Sequence, residues 1–206
     1  MVKIAVDLMG GDNAPEAIVD GMMNAVEEDE SIEILAYGLK GSYTGSHPRV
    51  EFIEVTEKVE SEDDPVKAVR RKKDSSLVRA AKAVKDGEAE ACVSAGNTGA
   101  IMSAGLFVVG RIKGIERPAI ASIIPNTTGK GIMLLDMGAN SDNKPKHLYQ
   151  FAEMASIYME GIENRQNPEV GLINIGSEDN KGNEVTRGAF ELLKDSDLNF
   201  TGNFET

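Results

Sequence analysis

A turn of small polar residues follows a short apolar segment near the middle of the chain. Residues 89 to 106 read AEACVSAGNTGAIMSAGL, with a turn built from Gly96, Asn97, Thr98 and Gly99. This pattern predicts a buried strand, a tight turn and the start of a helix. The free N–H groups and the dipole of a helix start attract anions, and glycine lets an oxygen approach the backbone closely. The turn therefore predicts a phosphate site, although the same residues are also typical of an ordinary helix cap.

Three further turns of the same composition follow predicted strands. They are Asp7 to Asn13 (DLMGGDN), Asp136 to Lys144 (DMGANSDNK) and Asn174 to Asn183 (NIGSEDNKGN). The carboxyl ends of parallel strands meet at one edge of a sheet, and ligands bind where the strand order reverses. We therefore expect the four turns to line one crevice.

Short apolar runs alternate with longer amphipathic stretches throughout the chain. The strand candidates are residues 3–8, 32–37, 50–55, 89–94, 119–124, 131–137 and 170–175. Asp64 and Pro65 mark a helix start, with an apolar face that continues to Val84, and Pro15 and Pro145 mark two more. Alternating strands and helices predict a three-layer α/β/α fold with a mainly parallel sheet, formed as a single α/β domain over residues 1–206.

Composition excludes several classes of function. The net charge is −12, with 34 acidic against 22 basic residues, which argues against a nucleic-acid or anionic-membrane surface. The single cysteine, Cys92, cannot form an internal disulfide, and no leader or bilayer-spanning run is present, so a cytoplasmic location is expected.

Familiar cofactor motifs are missing from the sequence. There is neither G-x-G-x-x-G nor G-x-x-x-x-G-K-[ST], so no dinucleotide or nucleoside triphosphate site is expected. His47 and His147 lack the spacing of paired metal ligands. Turn or cap roles are the favoured interpretation of Asp7, Asp12 and Asp136, and no cofactor or metal is predicted.

One basic segment stands out in this acidic chain. Arg70, Arg71, Lys72 and Lys73 are consecutive, and on a helix they would fan around most of the circumference. Some of them would then face a cleft and contact a phosphate or carboxylate. A solvated face balanced by nearby acidic residues is the alternative.

Five blocks together resemble the PlsX family of phosphate acyltransferases. They are AVDLMGGDNAPEAIVDG, DPVKAVRRKKDSS, SAGNTGAIMSAGLFVVGRIKGIERP, LLDMGANSDNKPKHL and NIGSEDNKGNE, and the match runs from residue 2 to about residue 205. Leu8, Lys146 and a short 38–49 connection depart from the family pattern. Family members continue well past residue 206, so the chain resembles a C-terminally truncated member.

The resemblance implies a fold like those of isocitrate and isopropylmalate dehydrogenases and of phosphotransacetylases. It implies transfer of an acyl group from acyl-acyl-carrier-protein to inorganic phosphate, in bacterial phospholipid synthesis and without a cofactor. It also implies a homodimer, and peripheral membrane association through the part beyond residue 206.

Combined with the turns, the resemblance assigns candidate roles. The amide groups of Asn97, Asn140 and Asn174 would stabilise an oxyanion, and Lys144 or Lys181 would assist the leaving thiolate. The expected phosphate- or substrate-binding residues are Gly10, Gly11, Asp12, Gly96, Thr98, Gly99, Gly138 and Gly176. The carrier protein is acidic, so we expect it to dock on positive patches; the candidates are Arg70, Arg71, Lys72 and Lys73, and separately Arg111, Lys113 and Arg117.

Two other functions stay open from the sequence. A related enzyme would exchange an acyl group between coenzyme A and phosphate, as phosphotransacetylases do. A non-catalytic scaffold would bind carrier protein without turnover.

Overall fold

The chain divides by its internal contacts into two compact units. The computed structural model describes residues 1–127, 129–138 and 142–205. The first unit is Met1–Ile112, and the second begins at Lys113. The expected single domain over the whole chain stays a prediction.

The first unit alternates strands and helices as the sequence predicts. Its elements are β1 (Val2–Asp7), α1 (Glu16–Glu28), β2 (Ile32–Leu39), β3 (Val50–Val55), α2 (Pro65–Arg71), α3 (Ser76–Lys85), β4 (Ala91–Val93) and α4 (Thr98–Ala104), which a π-helical segment, Gly105–Val109, extends. The strands form a four-stranded sheet in the order β3-β2-β1-β4, and every adjacent pair is parallel. The parallel arrangement is confirmed.

Helices cover both faces of this sheet. Successive side chains of a strand point to opposite faces, and Ala5, Leu35 and Tyr37 pack with Ala80 and Ala83 of α3. The alternate residues pack on the other face with α1; they are Val6, Leu8, Ile34 and Ala36, against Met22 and Val26. The three-layer arrangement is therefore confirmed in this unit.

The strand order reverses beside β1. The chain passes from β1 to β2 and β3 in one direction, and then places β4 on the opposite side of β1. The loops that leave β1 and β4 consequently start side by side at this topological switch point. This is the position where open parallel sheets form ligand sites.

The helix expected from Pro65 to Val84 is wrong in one respect, because it is two helices. Asp64 caps α2 by accepting from the Lys67 N–H at 2.8 Å. The chain then leaves helical geometry at Lys72, where ψ is 67°. The Asp74 carboxylate accepts from the Thr56 hydroxyl at 2.7 Å, and Ser75 restarts the helix as N-cap of α3. The hydrogen bonds from Thr56 to Asp74 hold the backbone in a turn between α2 and α3.

In its described residues, the second unit contains an antiparallel strand pair and a strand that the sequence did not predict. Its elements are β5 (Ala121–Ile124), β6 (Ile132–Leu135), α5 (Pro145–Gly161), β7 (Val170–Asn174), α6 (Glu184–Lys194) and β8 (Phe200–Glu205). β5 and β6 pair antiparallel, whereas β7 and β8 pair in parallel. The sequence of β8, FTGNFE, lacks both an apolar run and a regular alternation, so its pattern gave no strand signal.

Candidate functional site

The buried Asp7 carboxylate joins the loops that follow β1 and β4 at the switch point. The Ser94 hydroxyl donates to Asp7 Oδ2 at 2.7 Å, and the Met9 N–H donates to Asp7 Oδ1 at 3.1 Å. The Asp7 residue is only 3% exposed. Ser94 Oγ in turn accepts from the Gly96 N–H at 3.2 Å. Both loop paths therefore depend on one buried carboxyl group.

Glycine is required where these loops touch. A Cβ at Gly10 would lie 2.7 Å from Asp7 Oδ2, 2.7 Å from Ser94 Oγ and 2.8 Å from the Gly96 nitrogen. A Cβ at Gly96 would lie 3.0 Å from the Gly10 Cα. Gly11 has a φ of +111°, which L side chains rarely adopt. The predicted glycines Gly10, Gly11 and Gly96 thus lie together.

The same loops carry backbone donors without protein acceptors. In the part of the chain that the structure describes, the N–H groups of Gly10, Gly11, Thr98 and Gly99 make no hydrogen bond to protein. Gly10 is buried, and a buried N–H without a partner is costly. Water or an anion would satisfy these donors. Asp12, the remaining predicted residue of the first loop, is exposed.

Both polar atoms of the Asn97 side chain hold the loop after β4 in place. Its Oδ1 caps α4 by accepting from the Ala100 N–H at 3.0 Å. Its Nδ2 donates to the carbonyl oxygens of Ser61 at 2.9 Å and Asp63 at 3.2 Å. Both amide hydrogens are therefore used within the protein. The role of oxyanion donor stays a prediction, and it would require one of these bonds to break.

The four basic residues after Val69 lie in different surroundings and do not fan around one helix, because α2 ends at Arg71. Lys72 Nζ contacts Asp63 Oδ2 at 2.5 Å, and this hydrogen bond holds the pKa of Asp63 below its usual range. Lys73 Nζ donates to the Val69 carbonyl at 3.1 Å. Arg70 stacks over the Phe107 ring at 4.9 Å, and Arg71 is exposed.

The loop after β7 in the second unit is organised by two buried asparagines. Asn174 Nδ2 donates to the Lys181 carbonyl and to Asn203 Oδ1, both at 3.1 Å. Asn203 donates in turn to the Glu178 carbonyl at 2.9 Å. The amide hydrogens of Asn174 are therefore engaged, as those of Asn97 are. Lys181 is exposed and lies 3.6 Å from Glu178, and Gly176 is buried within this loop.

The loop after β6 contains other predicted residues. Gly138 has a φ of +80°, and the Asn143 side-chain amide donates to the Asp136 carboxylate. Asn140 lies outside the described residues. Lys144 is exposed at the N-cap of α5. Its backbone N–H, and not its ammonium group, makes the hydrogen bond that fixes this helix start.

A buried histidine ties the segment around Glu116 to the start of α5. His147 is 3% exposed, and its Nδ1 accepts from the Lys144 N–H at 3.1 Å. In the neutral ring the proton is therefore on Nε2, which lies 3.2 Å from Glu116 Oε2. Lys146 Nζ lies 2.6 Å from the other Glu116 oxygen. These hydrogen bonds, that of Lys146 first, hold the pKa of Glu116 below its usual value.

The second predicted docking group has mixed surroundings. Arg111 and Lys113 are exposed, and Arg117 donates to the Asp142 carbonyl at 3.0 Å. Arg111 belongs to the first unit and the other two residues to the second.

The surroundings of Cys92 disfavour its thiolate form. Burial, with a smaller contribution from the Asp7 charge, raises the pKa of its thiol to about 11. The thiolate, which is the reactive form, is therefore scarce at neutral pH. Among the described residues, no group of three or more His, Cys, Asp or Glu side chains is placed to hold a metal ion. No helix within those ranges is long and apolar enough to cross a membrane.

Fold and site together define an α/β protein with unpaired backbone N–H donors at the switch point of a parallel sheet. The family model described as "Fatty acid synthesis protein" matches residues 2–206. The chain belongs to this family.

Curated relatives agree with this membership. The chain is 55% identical over 206 residues to a protein of Staphylococcus epidermidis named "Phosphate acyltransferase", and 53% identical to one of the same name from Staphylococcus aureus strain JH9. Each alignment covers 100% of this chain and 63% of the relative. The chain thus spans less than two thirds of the length of these relatives.

Solved structures of low identity share the fold. A branched-chain phosphotransacylase from Enterococcus faecalis V583 has a TM-score of 0.65 at 11% identity, covering 99% of this chain and 67% of the other. A phosphotransacetylase from Streptococcus pyogenes has a TM-score of 0.66 at 17% identity, covering 99% and 68%. The fold implied by the resemblance to phosphotransacetylases is confirmed.

Three structural residues of these sites were not singled out by sequence reasoning. Ser94 lies within the SAGNTG turn, but nothing in one sequence distinguishes a tethering hydroxyl from an ordinary turn serine. Glu116 and Asn203 act across long chain separations, 31 residues to His147 and 29 residues to Asn174. Local patterns carry no signal for such pairs.

Replacement of Gly10 by alanine tests the close contact of the two loops. The added methyl group would overlap Asp7, Ser94 and the Gly96 nitrogen, so we expect Gly10→Ala to lower the free energy of unfolding by about 1–3 kcal/mol. Urea unfolding measures this loss. The matched control is Gly21→Ala, in helix α1 with nothing within 4 Å of the new Cβ. It should raise stability by about 0.5–1 kcal/mol, and an unchanged Gly10→Ala protein would contradict the packing described.

Protonation of Glu116 should account for part of the stability that the protein loses at acidic pH. Because the hydrogen bond from Lys146 holds the pKa of Glu116 in the folded protein below its ordinary value of 4.5, the charged form of Glu116 stabilises the fold above that pH. This stabilisation is lost as the pH falls through the lower, folded pKa. We therefore expect Glu116→Gln to be less stable than the unmodified chain at pH 7, and to lose less stability on acidification below about pH 4.5. Melting temperatures measured across this pH range give the dependence of stability on pH, and the exposed Glu163→Gln is the control. An equal dependence on pH in all three proteins would refute the prediction.

Proposed function

We propose that the protein of which this chain forms a part is a phosphate acyltransferase. It moves a fatty acyl group from acyl-acyl-carrier-protein to inorganic phosphate, giving acyl-phosphate and free carrier protein for phospholipid synthesis. Family membership and the names of the relatives support this reaction. Because the chain spans 63% of those relatives, the activity is proposed for the full-length protein.

The observation that carries the proposal is the group of unpaired N–H donors at the switch point. Gly10, Gly11, Thr98 and Gly99 belong to two loops that are in contact. Backbone N–H groups at a helix start bind phosphate well. The Asp7–Ser94 tether fixes the donors before any ligand arrives, which reduces the ordering cost of binding.

The reaction requires placement more than a strong base. An oxygen of phosphate, which is already anionic near neutral pH, attacks the thioester carbon and forms a C–O bond. The carbonyl electrons move onto oxygen, then return as the C–S bond breaks, and the thiolate leaves with the electron pair and takes up a proton. Holding the two reactants in contact is worth up to about 7–11 kcal/mol of the barrier in favourable cases.

Lysine and asparagine side chains have the remaining proposed roles. The exposed Lys144 or Lys181 would stabilise or protonate the departing thiolate. An oxyanion donor from Asn97, Asn140 or Asn174 would be worth about 2.7–4 kcal/mol. For Asn97 and Asn174, the hydrogen bonds that they already make within the protein count against this role.

The carrier protein is the proposed macromolecular partner, and it docks on the surface formed by Arg70, Arg71 and Phe107. Arg70 stacks on the Phe107 ring, which is 45% exposed. A positive group with an apolar centre suits an acidic partner, since local charge guides two acidic proteins together. Cytoplasmic location, a homodimer and peripheral membrane association through the rest of the full-length protein are proposals that rest on the family resemblance.

Acyl exchange between coenzyme A and phosphate is the second candidate. The solved structures that share this fold include phosphotransacetylases, and their reaction uses the same nucleophile. The acyl donor separates the two functions: we expect acyl-carrier-protein to be used far better than acyl-coenzyme A.

Phosphate-dependent formation of acyl-phosphate tests the main proposal. In the full-length protein, Thr98→Val removes a hydroxyl group beside the unpaired donors and should raise the KM for phosphate about tenfold, the effect of one lost hydrogen bond of about 1.4 kcal/mol. The control, Thr127→Val, alters an exposed threonine of the second unit and should leave this KM unchanged. An unmodified full-length protein that forms no acyl-phosphate from either donor would exclude both enzymatic functions.

Charge reversal tests the docking surface. We expect Arg70→Glu with Arg71→Glu to raise the KM for acyl-acyl-carrier-protein and to flatten its salt dependence, because fewer opposite charges then attract the partner. The KM for a small acyl-pantetheine substrate should not change. Lys85→Glu, an exposed charge at the end of α3, is the matched control. A salt dependence equal to that of the unmodified protein would place the docking site elsewhere.

A further inference from the structure

A groove runs beside helix α1 in the first unit. It has a volume of about 440 Å³, within the range of about 300–1,000 Å³ that is usual for small-molecule sites. One wall is the first half of α1, from Pro15 to Met23, and the other wall is the loop from Gly41 to Ser46. No residue that lines it has been given a role above.

The inner surface of this groove is apolar. Val19, Met23 and Tyr43 are half-buried and pack against the hydrophobic core under α1. The Tyr43 hydroxyl lies 3.6 Å from the Met23 sulfur, which joins the two walls at one point. Tyr43 also packs on Phe52, with ring centroids 6.1 Å apart. A ligand in the groove would therefore contact aliphatic, thioether and aromatic groups.

The charge of the lining disfavours an anionic occupant. Glu16 and Asp20 are the charged residues among those that line the groove, and both are exposed. A phosphate or a coenzyme A nucleotide would be repelled there, whereas a neutral apolar chain would not. This surface is thus chemically opposite to the N–H donors of Gly10 and Gly11.

The two surfaces are neighbours in the chain and in the fold. Pro15 follows Gly11 by four residues, which span at most ~14 Å even when fully extended. The Ala14 N–H donates to the Gly11 carbonyl at 3.3 Å, so this connection is turned and shorter. A molecule with an anionic or reacting head and a long neutral tail would reach both.

On the basis of the acyl transfer proposed above, we propose that this groove binds the hydrocarbon chain of the acyl thioester. The thioester carbon then lies toward the Gly10–Gly11 loop, and the chain lies along Val19, Met23 and Tyr43. The length of the groove sets which acyl chain lengths the protein prefers. No covalent step is assigned to the groove residues.

The absence of tryptophan from the sequence provides a direct test. A single tryptophan is introduced as Thr44→Trp, in the groove wall, or as Asn24→Trp, on α1 outside the groove. The probes are two uncleavable, phosphate-free thioethers, S-decyl-pantetheine and S-ethyl-pantetheine. We expect the decyl compound to shift the emission of the Thr44→Trp protein to shorter wavelength in a saturable manner, with an affinity at least tenfold above that of the ethyl compound.

The Asn24→Trp protein should show no shift with either compound. No saturable shift in Thr44→Trp, an equal shift in Asn24→Trp, or equal affinity for the two thioethers would overturn the proposal.

A second pair of variants tests the groove by calorimetry, which measures binding of the decyl compound without an introduced tryptophan. Val19→Asp places a third carboxylate on the groove wall, whereas Ile18→Asp changes a neighbouring, similarly half-buried residue of α1 that does not line it. Decyl affinity should fall about tenfold in Val19→Asp alone, and an equal fall in both would contradict the assignment. If Val19→Asp does not fold, the tryptophan pair decides. Because neither probe contains phosphate, failure here leaves the acyl-phosphate assay above unaffected, and failure of that assay leaves this measurement intact.

Discussion

The hydrogen bond between Ser94 and Asp7 is the contact on which the candidate site depends. It joins the ends of β1 and β4, where the strand order reverses. A carboxyl group this deeply buried needs donors, and Ser94 and the Met9 N–H supply them. The resulting approach of the loops leaves no space for a Cβ at Gly10. The small residues of both turns are thus a consequence of one polar contact.

This tether also determines which groups remain available to a ligand. The Asn97 side chain beside it is used by the fold, since its oxygen caps α4 and both amide hydrogens bind the 61–63 loop. Asn174 is used in the same way in the second unit. The backbone N–H groups of Gly10, Gly11, Thr98 and Gly99 remain. Asparagine side chains therefore hold the loops in place, and backbone N–H groups are left as donors for a ligand.

The sequence predicted the parts of this arrangement that local patterns encode. The parallel strands β1 to β4 follow from apolar runs, and the starts of α1 and α5 follow from Pro15 and Pro145. Glycines 10 and 96 were expected near a ligand, but their mutual contact depends on strand order, which single-sequence periodicity does not encode. The break between α2 and α3 arises from Asp74 and Thr56, 18 residues apart. The strand β8 was missed because FTGNFE has no strand pattern.

A site made of neutral donors suits the proposed nucleophile. Lys72 is paired with Asp63, and Arg70 is stacked on Phe107, so neither charge is committed to the Gly10 loop. In the proposed reaction, negative charge moves from phosphate toward the thioester oxygen and sulfur. A strong cationic clamp on phosphate would stabilise the ground state more than the transition state, and would lower KM without raising kcat. In the proposed reaction, N–H dipoles would hold the anion in position with less of this penalty, and Arg70 and Arg71 of α2 would be left for the proposed acidic partner.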